Sequence, residues 1–297
     1  DGRDHYARYG VTDKTYHVML VTNTDQGYQL NLSGMLDGSW NLGSFDVNAG
    51  LSYTYSQSKD INSLTSSQAK SNWKYNPVGM HTNEPNLTSS NYEVPHRIVG
   101  SVGATFNFIE NSPTTFSFFY EGQSGRPFSY KGAKSSNDYN GDGETRNDLI
   151  FVFNDESTVN IVDSEGNNAW NAWTAFVNQD DALKEYKGKI IDRNAARQPW
   201  RNRLDLRITQ KILGRIELTL DIINFANLLS SDMGQQEYVP YGTVDLLTFE
   251  GFEDGNDVSS KPTFTFDTEK YTKTEDVYSV SDFGSRWQML LGLRVNF

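Results

Sequence analysis

Apolar and polar residues alternate along several segments of this chain with a period of two, which is typical of β-strands whose two sides face different surroundings. The clearest case begins at Leu204, where even positions are mostly apolar as far as Ile212 while odd positions such as Asp205 and Arg207 are polar. After a short turn at residues 213–215 the alternation resumes. The pattern predicts a β-hairpin with one apolar face and one charged face.

The same alternation predicts further strands near residues 28–36, 45–56, 98–108, 116–120 and 287–297, with a weaker strand near 16–20. In the last of the long segments, only Leu290 breaks the polar set that opposes the apolar positions. The total is about eight strands, each close to the ~9–11 residues that a tilted transmembrane strand needs.

The connections between these strands alternate in length. Short links are predicted near residues 41–44, 109–114 and 213–215, and long ones at about 58–95, 122–200 and 228–284. Outer-membrane barrels have short periplasmic turns and long extracellular loops. We therefore predict an all-β fold over residues 1–297, a transmembrane antiparallel β-barrel whose three long connections are extracellular.

The strands of a soluble β-sandwich would also alternate apolar and polar residues. Two features favour the barrel. The polar face carries opposite charges close together, which suits a wet lumen, and loops of this length are unusual inside a compact soluble domain.

Composition agrees with strands rather than helices in the membrane. No apolar run approaches the roughly 18 residues of a spanning helix, while aromatic residues make up 13% of the chain, as interfacial girdles require. The net charge of −12 argues against a nucleic-acid partner. The chain has no cysteine, which excludes a disulfide scaffold and zinc bound through sulfur.

The final segment is similar to the signal by which the barrel-assembly machinery recognises outer-membrane proteins. That signal alternates apolar residues and ends in an aromatic one, and here it would comprise Trp287, Leu291, Leu293, Val295 and Phe297. An unpaired, ordered strand edge can pair with the machinery before the barrel closes.

Several stretches resemble the C-terminal third of TonB-dependent outer-membrane receptors, in particular the Oar-like and SusC-like branch of Bacteroidetes. They are NTDQGY (23–28), LSYTYS (51–56), VPHR (94–97), FYEGQSGRPFSY (119–130), DYNGDG (138–143), NRLDLR (202–207) and DIINFANLL (221–229). The resemblance runs from about residue 20 to the end. It implies a barrel of about 22 strands in the outer membrane of a Gram-negative bacterium, filled by an N-terminal plug whose TonB box couples to TonB.

The chain departs from that family in having about eight strands and no plug or TonB box. Its first residues, Asp1 to Asp4, do not look like a signal peptide either. We therefore expect the C-terminal part of a longer receptor, with a split barrel or a small independent barrel as the alternatives.

The resemblance implies import or binding of a large ligand such as a glycan or peptide. The implied partners are outer-membrane lipids, the plug with the remaining strands, TonB through the plug, and a SusD-like surface lipoprotein. The alternative function is a scaffold or adhesin within a larger surface complex, without transport.

The stretch at 138–143 matches the first half of a calcium-binding loop, with oxygen ligands at alternate positions and glycine at the sixth. The predicted ligands are Asp138, Asn140, Asp142 and Asp148, the last in place of the usual glutamate. The alternative is an ordinary turn with solvated carboxylates.

Charged residues on the predicted inner face form a second candidate group. They are Asp205, Arg207, Glu217, Asp221 and Arg294. Opposite charges on neighbouring strands would hold register; contact with a plug or with a solute are the other possibilities.

No combination of residues predicts an enzyme. The four histidines are His5, His17, His81 and His96, and no nucleophile elbow, metal pair or phosphate loop accompanies them. A barrel hydrolase with its site at the barrel mouth is a distant third alternative.

Aromatic residues of the loops could stack on sugars, fill the loop interior or join a girdle; they are Trp73, Tyr75, Trp170, Trp173, Trp200, Tyr238 and Tyr241.

Overall fold

The computed structural model describes residues 1–3, 20–133, 138–255 and 257–296. The fold is mostly β, with 44% of residues in strands and 15% in helices. The strands are β1 (Tyr28–Asn41), β2 (Phe45–Asp60), β3 (Thr88–Ser89), β4 (His96–Phe106), β5 (Thr114–Gln123), β6 (Pro127–Gly132), β7 (Asn160–Val162), β8 (Ala196–Arg197), β9 (Arg201–Ile212), β10 (Ile216–Ile223), β11 (Glu237–Tyr238), β12 (Thr243–Phe252), β13 (Pro262–Phe266), β14 (Ser279–Val280) and β15 (Gln288–Val295). The α-helices are α1 (Ala69–Lys74), α2 (Trp170–Gln179), α3 (Asp181–Glu185), α4 (Phe225–Leu229) and α5 (Asp282–Ser285), and short 3-10 turns span Glu156–Thr158, Pro240–Gly242 and Thr274–Val277.

Seven long strands form one antiparallel sheet in the order β1-β2-β4-β5-β9-β10-β15, and β3 adds to the end of β2. Strands that follow one another along the sheet are also consecutive among the long strands of the chain. Their connections are short at one end of the sheet, at residues 42–44, 107–113 and 213–215, and long at the other, at 61–95, 124–200 and 224–287. The long connections begin and end within a few residues of the predicted 58–95, 122–200 and 228–284.

The register of the strands gives the large sheet one continuous apolar face. Leu36 pairs with Leu51, Val102 with Phe118, and Leu220 with both Ile208 and Leu291. Because directly opposite residues point to the same side of a sheet, the apolar positions of all seven strands line up, and the charged positions line up on the other side.

The described sheet is open. Within the residues that the structure describes, β1 pairs only with β2 and the edge strand β15 pairs only with β10. The weak strand predicted near residue 16 falls outside the described residues, apart from Leu20, which is not in a strand. The antiparallel sheet is thus confirmed, while closure into a barrel stays a prediction.

The long connections fold into a second body, which we call the loop module (residues 61–95, 124–200 and 224–287). It contains a five-stranded mixed sheet in the order β7-β13-β12-β6-β8, against which α2 and α3 lie. Its core is rich in fully buried aromatic side chains, including Tyr130, Trp173 and Phe266. Trp173 packs edge-on against Phe266 with ring centroids 5.6 Å apart, so the loops hold their shape through a hydrophobic core of their own.

Charged and polar contacts attach the loop module to the loop end of the large sheet. Arg193 donates to the backbone oxygen of Asp60 in β2 at 2.6 Å. Within the module Arg197 pairs with the buried carboxylate of Glu93 at 2.6 Å, and Glu93 also accepts from the backbone N–H of Ser58 in β2 at 3.1 Å. Asn194 donates to the backbone oxygen of Ser89 at 2.6 Å. Among the helices of the described residues, none is long and apolar enough to cross a membrane.

Candidate functional site

The apolar face of the large sheet is exposed. Leu36 is 77% exposed, Leu51 55% and Leu291 81%, although each lies within a strand and is surrounded by other apolar side chains. Single exposed apolar residues are common on soluble proteins, but a continuous apolar face is the mark of an interaction surface or a membrane. This face is the main candidate for a functional surface.

An aromatic belt borders the apolar face at its short-turn end. We define it by Trp40, Phe45, Phe106, Phe108 and Phe116. Phe106 stacks on Phe45 and on Phe108, each at 5.2 Å between ring centroids, and meets the edge of Phe116 at 6.1 Å. The phenylalanine rings of the belt therefore form one packed row across β2, β4 and β5.

A second belt, at the loop end of the same face, combines aromatic rings with polar tips. It comprises Tyr28, Tyr53, Tyr55, His96, Tyr120, Trp200 and Trp287. The Tyr53 hydroxyl is 2.8 Å from Nδ1 of His96, and both the Tyr120 hydroxyl and the Trp200 indole donate to Oδ1 of Asn202, at 2.7 and 3.0 Å. Such rings, apolar in body and polar at one end, are enriched where a membrane meets water.

Gly122 makes room for part of this belt. A Cβ at Gly122 would lie 2.4 Å from the Tyr120 hydroxyl oxygen and 3.1 Å from Nε1 of Trp200. Because no side chain stands there, both polar tips reach Asn202. Local packing therefore explains why glycine occupies position 122.

On β2 and β4 the separation of the belts is close to the height of the apolar band of an outer-membrane barrel, whereas on β5 Phe116 and Tyr120 are only four residues apart. On β2, Phe45 and Tyr55 are ten residues apart, about 33 Å along a strand at ~3.3 Å per residue. With a strand tilt of about 40°, this becomes roughly 25 Å along the membrane normal, which is the height of the apolar band of outer-membrane barrels.

The opposite face carries the predicted charged network. Arg207 lies directly across from Asp221, and the two form an ion pair in which Nη2 is 3.0 Å from Oδ2. Glu217 is directly opposite Lys211 on one side and Arg294 on the other. These cross-strand charges of opposite sign favour the observed register.

Asp205, the fifth residue of the predicted network, takes part in a second cluster nearer the loops. Arg203 is 3.2 Å from Asp205 and 4.0 Å from Glu121, and Glu121 also accepts from Nε of Arg97 at 2.9 Å. Sequence reasoning missed Arg97, Glu121 and Arg203 as a group. The signal was available, because all three occupy the polar phase of their strands.

The predicted assembly signal falls on β15, the edge strand. Leu291, Leu293 and Val295 occupy the apolar face, and Trp287 immediately precedes the strand. Phe297 lies outside the described residues. Leu290, which interrupts the polar pattern, pairs with Asp221 on the polar face.

Three of the predicted calcium ligands lie in one turn of the loop module and use their oxygens within the protein. Asp138 accepts from the backbone N–H groups of Asp142 and Gly143 at 3.0 and 2.8 Å. Oδ1 of Asn140 accepts from the same Asp142 N–H at 2.9 Å. Oδ2 of Asp142 accepts from Thr82 at 2.9 Å.

Asp148, the fourth predicted ligand, is buried and faces Arg3, whose Nη1 is 3.5 Å from Oδ1. Burial raises the pKa of the Asp148 carboxyl to about 7, against the opposing effect of Arg3. Across the described ranges, no group of three or more histidine, cysteine or acidic side chains is arranged to hold a metal. Calcium binding stays a prediction.

The aromatic residues of the loops differ in position, so no single one of the three roles (sugar stacking, filling the loop interior, or a girdle) fits all of them. Trp173 is fully buried in the loop module and Trp170 packs against its core. Trp200 belongs to the loop-end belt, whereas Tyr241 is fully exposed.

Among the histidines, His96 also joins the belt, while His5 and His17 lie outside the described residues. The expectation that the chain is not an enzyme stays a prediction.

Comparison with protein-family models, with curated proteins and with solved structures finds no match for this chain. The resemblance to TonB-dependent receptors therefore stays a prediction. What can be concluded about function comes from the two faces of the large sheet and from the loop module beside it.

Proposed function

We propose that the large sheet is part of a transmembrane β-barrel in the outer membrane of a Gram-negative bacterium. In this proposal the apolar face contacts lipid, the charged face lines a hydrated lumen, and the loop module is extracellular. The observation that carries the proposal is the exposed apolar face with an aromatic belt at each end, the two belts being ten residues apart on β2 and β4.

Energetics supports lipid over water as the neighbour of this face. Burying a leucine, valine, isoleucine or phenylalanine side chain gains about 1.5–3 kcal/mol, and most of the apolar face is left uncovered by the described residues. A soluble sandwich would place a second sheet over these side chains. The loop module instead packs its own apolar residues against one another and leaves most of this face free.

The open edges of the sheet support a larger barrel. In lipid every backbone N–H and C=O must find a partner, so only closed barrels can span the membrane with strands. We propose that further strands pair with β1 and β15, in a barrel of the ~22-stranded size that encloses a plug. A closed barrel of eight strands would have an interior just wide enough for side chains.

Within that barrel we propose a TonB-dependent transporter or receptor that imports or binds a large ligand, such as a glycan or a peptide. The resemblance suggests a plug that links to TonB and a SusD-like lipoprotein as partners. The charged lumen face and the folded extracellular module suit a path and an entrance for a polar ligand, and ligand uptake that persists without TonB would contradict this part of the proposal.

A scaffold or adhesin without transport is the second candidate. Two observations favour it: the loop module has a hydrophobic core of its own, and Arg193 and Glu93 attach the module to β2. A rigid surface body of this kind suits protein contacts. Loss of surface adhesion with normal ligand uptake, on deletion of module residues, would favour this alternative.

Neighbouring residues of β2 provide a matched test of the membrane assignment. Leu51 lies on the apolar face and Ser52 on the polar face. Leu51→Arg places a charge against lipid, at a cost of about 2–4 kcal/mol near the bilayer midplane, so we expect a marked loss of protein from the outer-membrane fraction. Ser52→Arg, the control, leaves assembly near normal.

The same pair separates the membrane from a soluble sheet. If the apolar face were in water, Leu51→Arg would be harmless because the residue is already exposed. Equal membrane-fraction levels for the two variants would therefore contradict the proposal.

A further inference from the structure

The short helix α4 lies on the apolar face of the large sheet rather than above it. Phe225, its first residue, packs against Phe118 with ring centroids 6.2 Å apart. Phe118 belongs to the apolar face, where it pairs with Leu206. Leu206 and its partner Ile222 are buried to 8% and 6% exposure, unlike the many exposed residues of this face. The helix therefore covers this part of the apolar face.

The chain holds α4 in this place through two asparagines. Asn224 adopts a left-handed conformation, with φ 53° and ψ 50°, which turns the chain at the end of β10. Its side chain donates to the backbone oxygens of Gly234 and Ser285 at 2.9 and 2.7 Å. Asn227 donates to the backbone oxygens of Ser231 and Met233 at 3.1 and 3.0 Å. Residues 224–234 thus form a closed loop, which we call the α4 loop.

The α4 loop has an apolar surface of its own. Leu229 is 68% exposed and Met233 55%, with Leu228 beside them at 37%. Ser230, Ser231 and Asp232 interrupt these residues at the tip of the loop. A surface of this kind, with apolar side chains beside polar ones, is suited to the boundary between headgroups and acyl chains.

We infer that the α4 loop is a membrane-interface anchor, whose partner is the lipid of the outer leaflet. The inference rests on the proposed function, because it extends the lipid-facing surface towards the loop module. Its basis is continuity: Phe225 packs on the lipid face, and the exposed leucines of α4 follow within the same helix. The anchor would fix the third long connection (224–287) to the membrane.

Single-cysteine labelling tests the inference directly, since the chain contains no cysteine of its own. A fluorophore is attached at Leu229→Cys in the α4 loop, at Leu291→Cys on the apolar face, or at Tyr241→Cys on the loop module. The protein is placed in vesicles of outer-membrane lipids, and emission is quenched either by brominated lipid or by aqueous iodide. We expect brominated lipid to quench the first two labels, and iodide to quench the third.

The outcomes distinguish this inference from the proposed function. If the Leu291 label is quenched by lipid but the Leu229 label is quenched only by iodide, the anchor is wrong and the membrane assignment stands. If neither quencher reaches the Leu229 label, a protein partner covers the loop and the anchor is again wrong. If lipid fails to quench the Leu291 label, the proposed function itself is contradicted.

Discussion

At the scale of single residues, Asn224 determines where the third long connection begins. Its backbone N–H donates to Asp205 of the charged face at 2.8 Å, while its side chain reaches two backbone oxygens beyond the sheet. Gly234 fits closely against it, since a Cβ there would lie 2.1 Å from Oδ1 of Asn224. The backbone and side chain of this one residue therefore join the sheet, the α4 loop and α5.

We expect Asn224→Ala to loosen this junction. The substitution removes one buried and one partly buried hydrogen bond, each worth about 1 kcal/mol. It also leaves alanine in a left-handed conformation, which costs roughly 1 kcal/mol more. Limited proteolysis should cut residues 224–287 faster than in the unmodified protein. Asn227→Ala, which removes two exposed hydrogen bonds, serves as the control, and equal cleavage rates for the two variants would contradict this role of Asn224.

Because of Tyr130, the stability of the loop module should depend on pH in the alkaline range. The buried hydroxyl of Tyr130 donates to Oδ2 of Asp180 at 2.6 Å, and burial, followed by the charge of Asp180, raises its pKa above the ordinary value of 10. Burial also raises the pKa of Tyr278 to about 12. Because folding favours the protonated form, this stabilisation is fully present below pH 10 and is lost as the pH rises beyond it.

The melting temperature of the loop module should therefore fall between pH 10 and pH 12. Tyr130→Phe should reduce the fall while lowering stability at neutral pH, because Asp180 loses a hydrogen bond; near-ultraviolet circular dichroism of the aromatic core would report both. Tyr241→Phe, at a fully exposed position, is the control. A pH profile unchanged by Tyr130→Phe would show that another group is responsible.

At the scale of elements, the β9–β10 hairpin shows what the sequence could predict. From Ile216 to Ile222 each residue pairs with a residue of the same phase in β9, because a strand with one apolar and one polar side has a period of two. The charged network of Arg207 and Asp221 was predictable for the same reason.

The loop module could not be predicted in this way. Its parallel pairing of β6 with β12 joins Ser129 to Thr243, and the ion pair of Glu93 with Arg197 spans 104 residues. Contacts between segments that lie far apart in the chain produce no periodic pattern within either segment. Its core helix α2 is only ten residues long, too short for a distinctive pattern.

A charge swap across the hairpin tests the role of the ion pair. Asp221→Arg places like charges opposite each other and should destabilise the hairpin by up to about 1 kcal/mol. Arg207→Asp in the same molecule should restore most of that loss, as measured by unfolding in urea. If the double variant were no more stable than Asp221→Arg alone, the pair would not contribute to register.

At the scale of the whole molecule, two surfaces of opposite character are separated by a single sheet. The alternation in the sequence predicted an antiparallel sheet with one apolar and one charged face. Closure of the sheet into a barrel stays a prediction, because within the described residues β1 pairs only with β2 and β15 only with β10. The sequence could not predict α4, because its place on the apolar face depends on the left-handed turn at Asn224.

The accessibility of β10 to lipid and to water is the sharpest test of whether the large sheet lies in a membrane. Each residue from Ile216 to Ile223 is replaced in turn by cysteine, labelled, and exposed to lipid-borne and aqueous quenchers in outer-membrane vesicles. The account predicts a strict alternation, in which labels at Ile216, Leu218 and Leu220 respond to lipid and those at Glu217, Thr219 and Asp221 respond to water. If the aqueous quencher reached both sets equally, the sheet would not lie in a membrane.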